Sequence, residues 1–186
     1  MINVSISKRV FNDRYLPLLK CDARYLVLFG GAGSGKSYFI AERYIYKLLT
    51  SKLCNLLVVR NTARSNRDST FALLKQVISN WNLGKLFTIN SGDLRIKCVN
   101  GNEVIFSGLD DVEKLKSVTF ESGELTDIWV EEASEVLEPD FNQLDVRLRG
   151  KGTKKQIFIS FNPIDINHWL KRRFFDKKDE NVTIFH

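Results

Sequence analysis

Apolar residues along this chain fall alternately into short unbroken runs and helical stripes. Tyr25–Phe29 (YLVLF) is an apolar run that ends in glycines, which reads as a buried strand entering a loop. From about Gly35 to Leu49, the residues Ala41, Tyr44, Ile45 and Leu48 recur at helical spacing. Leu56–Val59 (LLVV) is a second buried strand, and Phe71, Leu74, Ile78 and Trp81 mark one face of a second helix. Leu94–Val99 and Glu103–Phe106 flank Asn100-Gly101, the dipeptide that favours a tight hairpin. Ile128–Val130 is a third buried strand, closed by acids. Leu137, Phe141, Leu144 and Leu148 line one face of a further helix, with Pro139 near its start and Gly150 just past its end. Gln156–Phe161 (QIFISF) is a fourth strand. Strands that alternate with helices predict an α/β fold with a mostly parallel central sheet, flanked by helices and extended by an antiparallel hairpin.

Composition narrows the class. A chain of 186 residues, 44% hydrophobic and 27% charged, is the size of one globular domain. There is no repeat, low-complexity segment or Gly/Ser linker, so residues 1–186 are expected to form a single domain. No apolar run approaches the roughly 18 residues of a membrane helix. Charges at Lys8, Arg9, Asp13 and Arg14 interrupt the N-terminal stretch, so it is not expected to act as a secretory signal. Cys21, Cys54 and Cys98 are widely spaced and predict neither a disulfide framework nor a zinc site; they read as small buried hydrophobes in a reducing compartment. The net charge of +6 permits a polyanionic partner such as DNA, with basic runs at Lys151–Lys155 and Lys171–Lys178.

Chemistry enters after the first strand. Gly30, Gly31, Ala32, Gly33, Ser34, Gly35, Lys36 and Ser37 match the phosphate-binding pattern GxxxxGK[ST]. Glycines let successive backbone N–H groups point at phosphate oxygens, and the following helix aims its positive end at the same anion. Lys36 is placed to reach the β- and γ-phosphates and Ser37 to ligate Mg2+. The apolar strand before the loop and the amphipathic helix after it supply the context that the motif requires.

Asp127–Glu132 (DIWVEE) is an apolar strand that ends in adjacent carboxylates. Ligands of open α/β sheets sit at the carboxyl ends of the strands. Glu131 is assigned to the metal, and Glu132 to polarising the attacking water. A water-activating carboxylate points to hydrolysis. The NKxD and DxxG elements of GTPases do not occur, so ATP is the expected nucleotide.

GGAGSGKS, IWVEEASEV and ISFNP (Ile159–Pro163), in this order and followed by His168-Trp169-Leu170, resemble the ATPase domain of phage terminase large subunits. Val58–Phe71 and Phe141–Gly150 are similar to further blocks of that family. The resemblance implies a RecA-like, ASCE-type P-loop NTPase that moves double-stranded DNA into a phage prohead. It also implies a Mg2+-dependent ATPase, with Lys36 and Ser37 as the Walker A pair, Glu131 as the Walker B acid, Glu132 as the catalytic glutamate and Asn162 in the coupling motif. The implied partners are DNA, a terminase small subunit, a portal protein and further copies in a ring, in the cytoplasm of the bacterial host. A helicase-like DNA-dependent ATPase and a nucleotide-gated binding module are the alternatives; Glu132 speaks against the second.

Two departures matter. Many relatives carry arginine inside the P-loop, where this chain has Ala32, so charge compensation is sought elsewhere: Lys116, Arg147 or Arg149 as a trans-acting finger, and Arg60 as a nucleotide contact at the end of its strand. The family's C-terminal nuclease, with its clustered Asp residues, has no counterpart in this sequence, so nuclease activity is not expected of it.

Overall fold

The computed structural model describes residues 5–110, 115, 118–149 and 154–186. Lys116 and Gly150 lie outside the described residues, as does part of the Lys151–Lys155 run. Eight strands form one sheet: β1 (Tyr25–Phe29), β2 (Asn55–Arg60), β3 (Phe87–Asn90), β4 (Arg95–Cys98), β5 (Glu103–Gly108), β6 (Asp127–Glu131), β7 (Gln156–Phe161) and β8 (Val182–Phe185). Their order across the sheet is β3-β4-β5-β2-β6-β7-β1-β8. From β5 to β8 every neighbouring pair is parallel; β4 is antiparallel to both β3 and β5. The Asn100-Gly101 turn, with Gly101 at φ +94°, joins β4 to β5, so one strand of the expected hairpin also belongs to the parallel sheet.

The strands are apolar on both sides because both faces are covered. Leu26, Leu28, Leu56, Val58, Trp129 and Phe158 join one buried cluster with helices α1 (Lys36–Thr50) and α3 (Ala72–Asn80). The alternate positions Val27, Leu57, Val59, Ile128, Val130, Ile157 and Ile159 join a second with α4 (Glu138–Arg147) and α5 (Trp169–Phe174). This period of two is the pleat of the strand made visible in the core.

Helix starts follow local chemistry. The stripe Ala41, Tyr44, Ile45 and Leu48 is fully buried on α1. A short α2 (Ala63–Asn66) opens with a capping box in which Thr62 and Ser65 satisfy each other's backbone N–H groups. It runs through a π-turn at Arg67–Phe71 into α3, so the second helix begins earlier and less regularly than its apolar face implies. In α4, Pro139 sits in the first turn, where its missing N–H costs nothing. Phe141, Leu144 and Leu148 are buried, but Leu137 precedes the helix as its cap residue and is 67% exposed. It is not part of the helix's buried face, because an extended residue does not continue the helical stripe. Cys54 and Cys98 are buried and Cys21 is half-buried; all three are free thiols. Among the described residues no helix is long and apolar enough to cross a membrane.

Candidate active site

Four strands deliver their carboxyl ends to one edge of the sheet. The P-loop leaves β1, Glu131 ends β6, Asn162 follows β7 and Arg60 ends β2. β7 lies between β1 and β6, so the phosphate loop and the acidic strand flank Asn162.

The loop is shaped by its glycines. Gly33 (φ +75°) and Gly35 (φ +87°) adopt the left-handed region, which L side chains rarely enter, and Gly35 is the cap from which α1 starts. Tyr15, from the 3-10 segment Asp13–Lys20, donates its hydroxyl to the Ser34 carbonyl at 2.9 Å and stacks on Phe39 at 4.8 Å. The loop's outer wall is therefore held by a segment that precedes the sheet.

Lys36 is 8% exposed and its ammonium is fully engaged. It donates to the carbonyls of Gly30 at 2.8 Å and Gly31 at 3.1 Å, to Ser34 Oγ at 3.1 Å and to Asn162 Oδ1 at 3.3 Å. Ser37 Oγ donates to Glu131 Oε1 at 2.6 Å. The second oxygen of Glu131 accepts from Trp129 Nε1 at 3.1 Å and from the Ser160 hydroxyl, while Trp129 Nε1 also lies 2.9 Å from Ser160 Oγ. Burial pushes the Glu131 carboxyl above the usual range; the hydrogen bonds from Ser160 and Ser37 act in the opposite direction, the neighbouring Glu132 charge adds to the rise, and Arg60 opposes it.

Glu132 has φ +51° and ψ +52°, a left-handed conformation that costs a non-glycine residue about 1–3 kcal/mol. The strand ends there, and the two acids find different partners. Glu131 faces Ser37; both oxygens of Glu132 lie 3.5 Å from Asn162 Nδ2. Asn162 thus joins the P-loop lysine through its carbonyl to the second acid through its amide.

The proposed cations are not gathered at this point. Arg60 is on the right edge, but its guanidinium donates to Ser69 Oγ at 3.1 Å and to the Ser65 carbonyl at 3.4 Å, and lies 4.0 Å from Glu135. Arg147 turns inward to the Val118 carbonyl, with its Nε buried and unpartnered. Arg149 is exposed, two residues beyond the end of α4. Arg24, immediately before β1, holds the Leu148 carbonyl at 3.0 Å, so the end of α4 lies at the amino edge of the sheet, opposite the P-loop. Three residues of the site were not picked out from the sequence. Trp129 shares a strand face with Glu131 at i, i+2, and Ser160 stands two before Asn162; both signals are present in the strand period. Tyr15 has no local signal.

The family model for the phage terminase large subunit matches residues 22–186. The chain belongs to the phage terminase large subunit family. The PBSX phage terminase large subunit of Bacillus subtilis (strain 168) is 39% identical over 161 residues, covering 87% of this chain and 36% of that protein. The terminase large subunit of Bacillus phage SPP1 is 33% identical over 143 residues, 74% of this chain and 34% of its own. This terminase chain therefore spans about a third of the length of the curated relatives it matches. Several solved structures share its fold. The large terminase of a thermophilic bacteriophage, in complex with ADP, has a TM-score of 0.74 at 19% identity, over 95% of this chain and 45% of that one. The Thermus phage P74-26 large terminase ATPase domain has a TM-score of 0.70 at 15% identity, over 94% and 80% respectively. The α/β sheet expected of a P-loop NTPase, with its antiparallel addition, is the fold this terminase has.

Proposed function

We propose that this chain is the Mg2+-dependent ATPase unit of a terminase motor that drives double-stranded DNA into a phage prohead. The observation that carries the reading is the Lys36–Asn162–Glu132 connection, which brings a phosphate-binding cation, an amide and a carboxylate together from the segments that follow three separate strands. The ADP held by the large terminase of the thermophilic bacteriophage supports the nucleotide. The hard oxygens of Ser37 and Glu131, 2.6 Å apart, suit Mg2+, which takes few protein ligands and completes its shell with water and phosphate. When bound there, Mg2+ neutralises charge on the β- and γ-oxygens.

The chain's own residues do the rest. Backbone N–H groups of residues 31–36 cradle the phosphates. Lys36 exchanges its loop carbonyls for phosphate oxygens and offsets charge that develops on the leaving group. Glu132 orients a water and takes its proton as the water oxygen bonds to phosphorus and ADP departs. Asn162, which touches both Lys36 and Glu132, registers whether the γ-phosphate is present and passes that to β7 and the segment beyond it.

The net charge of +6 favours a DNA backbone as the load. The small subunit, the portal and a ring of like chains are the partners this reading requires, in the host cytoplasm. Of the two candidates among the described residues, Arg149 is the one free to reach a neighbouring copy, since Arg147 is engaged within its own chain. ATP turnover measured with added double-stranded or single-stranded DNA tests the assignment. Stimulation by the duplex supports the packaging motor; stimulation by single strands alone would favour a helicase.

A further inference from the structure

A cleft of about 870 Å3 lies at the amino edge of the sheet, opposite the P-loop, and has the size of a small-ligand site. It is bordered by Asp127 and Gln156, the register partners that begin β6 and β7, by the last turns of α1 and by residues 19–22. Five cations and two acids line it. Lys47 pairs with the buried Asp127 at 2.5 Å, and Lys154 pairs with Asp22. Lys20, Arg43 and Lys52 are left without an acidic partner among the described residues. Lys20 and Lys52 are exposed, as solvated cations ordinarily are. Arg43 is only 6% exposed. It donates to the carbonyls of Leu19 at 3.2 Å and Cys21 at 2.5 Å, lies over the Phe158 ring at 4.5 Å, and leaves Nη1 buried with no hydrogen bond. A buried charge is normally met by an opposite one. Asp127, the buried acid on the same cleft, is already engaged by Lys47 and Thr126.

We infer that this cleft is a second anion site, separate from the P-loop, and that it takes a small molecule with two or more linked phosphate groups. Three uncompensated positive charges match such a group, whereas a lone carboxylate would leave two of them unmet. A concave cleft of this size suits a compact ligand. Lys20 and Lys52 stand on different segments, so one ligand held by both bridges residues 19–22 to the end of α1, beside the fixed charge of Arg43. Both of these walls run to the phosphate loop. α1 starts from Gly35, and the 3-10 segment that ends at Lys20 holds the Ser34 carbonyl through Tyr15. A ligand that clamps residues 19–22 to α1 therefore steadies the segment that props the P-loop, which couples one edge of the sheet to the other.

Calorimetric titration of pyrophosphate into the chain saturated with Mg-ADP tests this, since ADP fills the P-loop; one further site is expected. Lys20→Ala combined with Lys52→Ala removes two exposed cations with no partner inside the chain, so the fold is kept, and should weaken that site about tenfold. Lys177→Ala combined with Lys178→Ala removes the same charge from an exposed run outside the cleft and should leave the site unchanged. Amide exchange reads the clamp: with pyrophosphate at about ten times its Kd, opening of residues 13–22 should slow about tenfold, and the cleft variant should show no such slowing at that concentration. No binding beyond ADP overturns the site. Binding that survives the cleft variant, or falls equally in the control, is adventitious ion binding and overturns it too. Binding without slowed exchange overturns the clamp. A chain that binds no ADP counts against the P-loop reading alone, because pyrophosphate binding lost in the cleft variant and kept in the control still supports the site.

Discussion

The pH dependence of stability isolates Glu42, a carboxyl on α1 that is 2% exposed and has no hydrogen bond or ion pair among the described residues. Its carboxyl titrates at about 7 in the folded chain against 4.5 for the exposed group, because burial disfavours the charged form. The folded state then binds more protons than the unfolded state between these values, so stability falls as pH rises through that window. Below 4.5 both states are neutral at this position and the burden is absent; above 7 both are charged and it is complete. The shift corresponds to about 3 kcal/mol at full weight. Glu42 borders an open cleft beside Phe11, Asn12 and Tyr38, so screening by solvent reduces this to roughly 1–2 kcal/mol. Glu42→Gln removes the titration and keeps the shape. Urea unfolding of both proteins at about pH 5 and about pH 8 gives two stability differences, in which every other titrating group cancels. The parent should lose roughly 1–2 kcal/mol relative to the variant between the two conditions. A difference that stays constant across them would refute the claim that Glu42 is buried without a partner.

Lys36→Ala should weaken ATP binding at least ~100-fold by calorimetry, since the ammonium is the P-loop's only cation and charge-assisted contacts to phosphate are strong; an unchanged affinity refutes its phosphate role. Trp129→Phe removes a donor from the buried Glu131 carboxylate, so it should cost about 1–2 kcal/mol in urea unfolding. Loss of that donor also raises the Glu131 pKa further, so the acid limb of the turnover profile should move to higher pH; an unmoved limb means the indole does not support the carboxylate. Arg147→Ala should destabilise the chain by about 1 kcal/mol through its lost bond to the Val118 carbonyl. Arg149→Ala should leave stability unchanged and lower turnover only where copies associate; equal effects of the two in both assays refute the distinction.

The parts of this fold that are readable in the sequence are those where local pattern and tertiary role coincide. β1, β2, β6 and β7 are apolar because both sheet faces are covered, and α1 shows its stripe because Ala41, Tyr44, Ile45 and Leu48 enter the core at helical spacing. Asn100-Gly101 announces its turn because the positive φ needed there is a local demand. β3 is not readable: Phe87 is buried but the next three residues are exposed, as an edge strand paired on one side permits. β8 is short and half-buried, and its place beside β1 is set by pairing at long range. The 3-10 segment Asp13–Lys20 buries Tyr15 and Leu18 at a spacing of three around Pro17, but nothing local says that Tyr15 meets the P-loop. Glu42 stands beside the α1 stripe as an ordinary polar residue, and its burial shows only once the N-terminal segment closes over the helix. Trp129 reads as one more apolar strand residue because its indole N–H finds Glu131 and Ser160 only in the folded sheet.

The most direct test of the central claim is Mg2+-dependent ATP hydrolysis by this chain and by Glu132→Gln, at low and high protein concentration and with duplex DNA present. The parent should turn over ATP, and the variant should bind it with similar affinity while losing at least about 100-fold in rate, the scale of a missing general base. Equal turnover by the two proteins would contradict the assignment of Glu132 to the attacking water, and with it the account of this site as an ATPase.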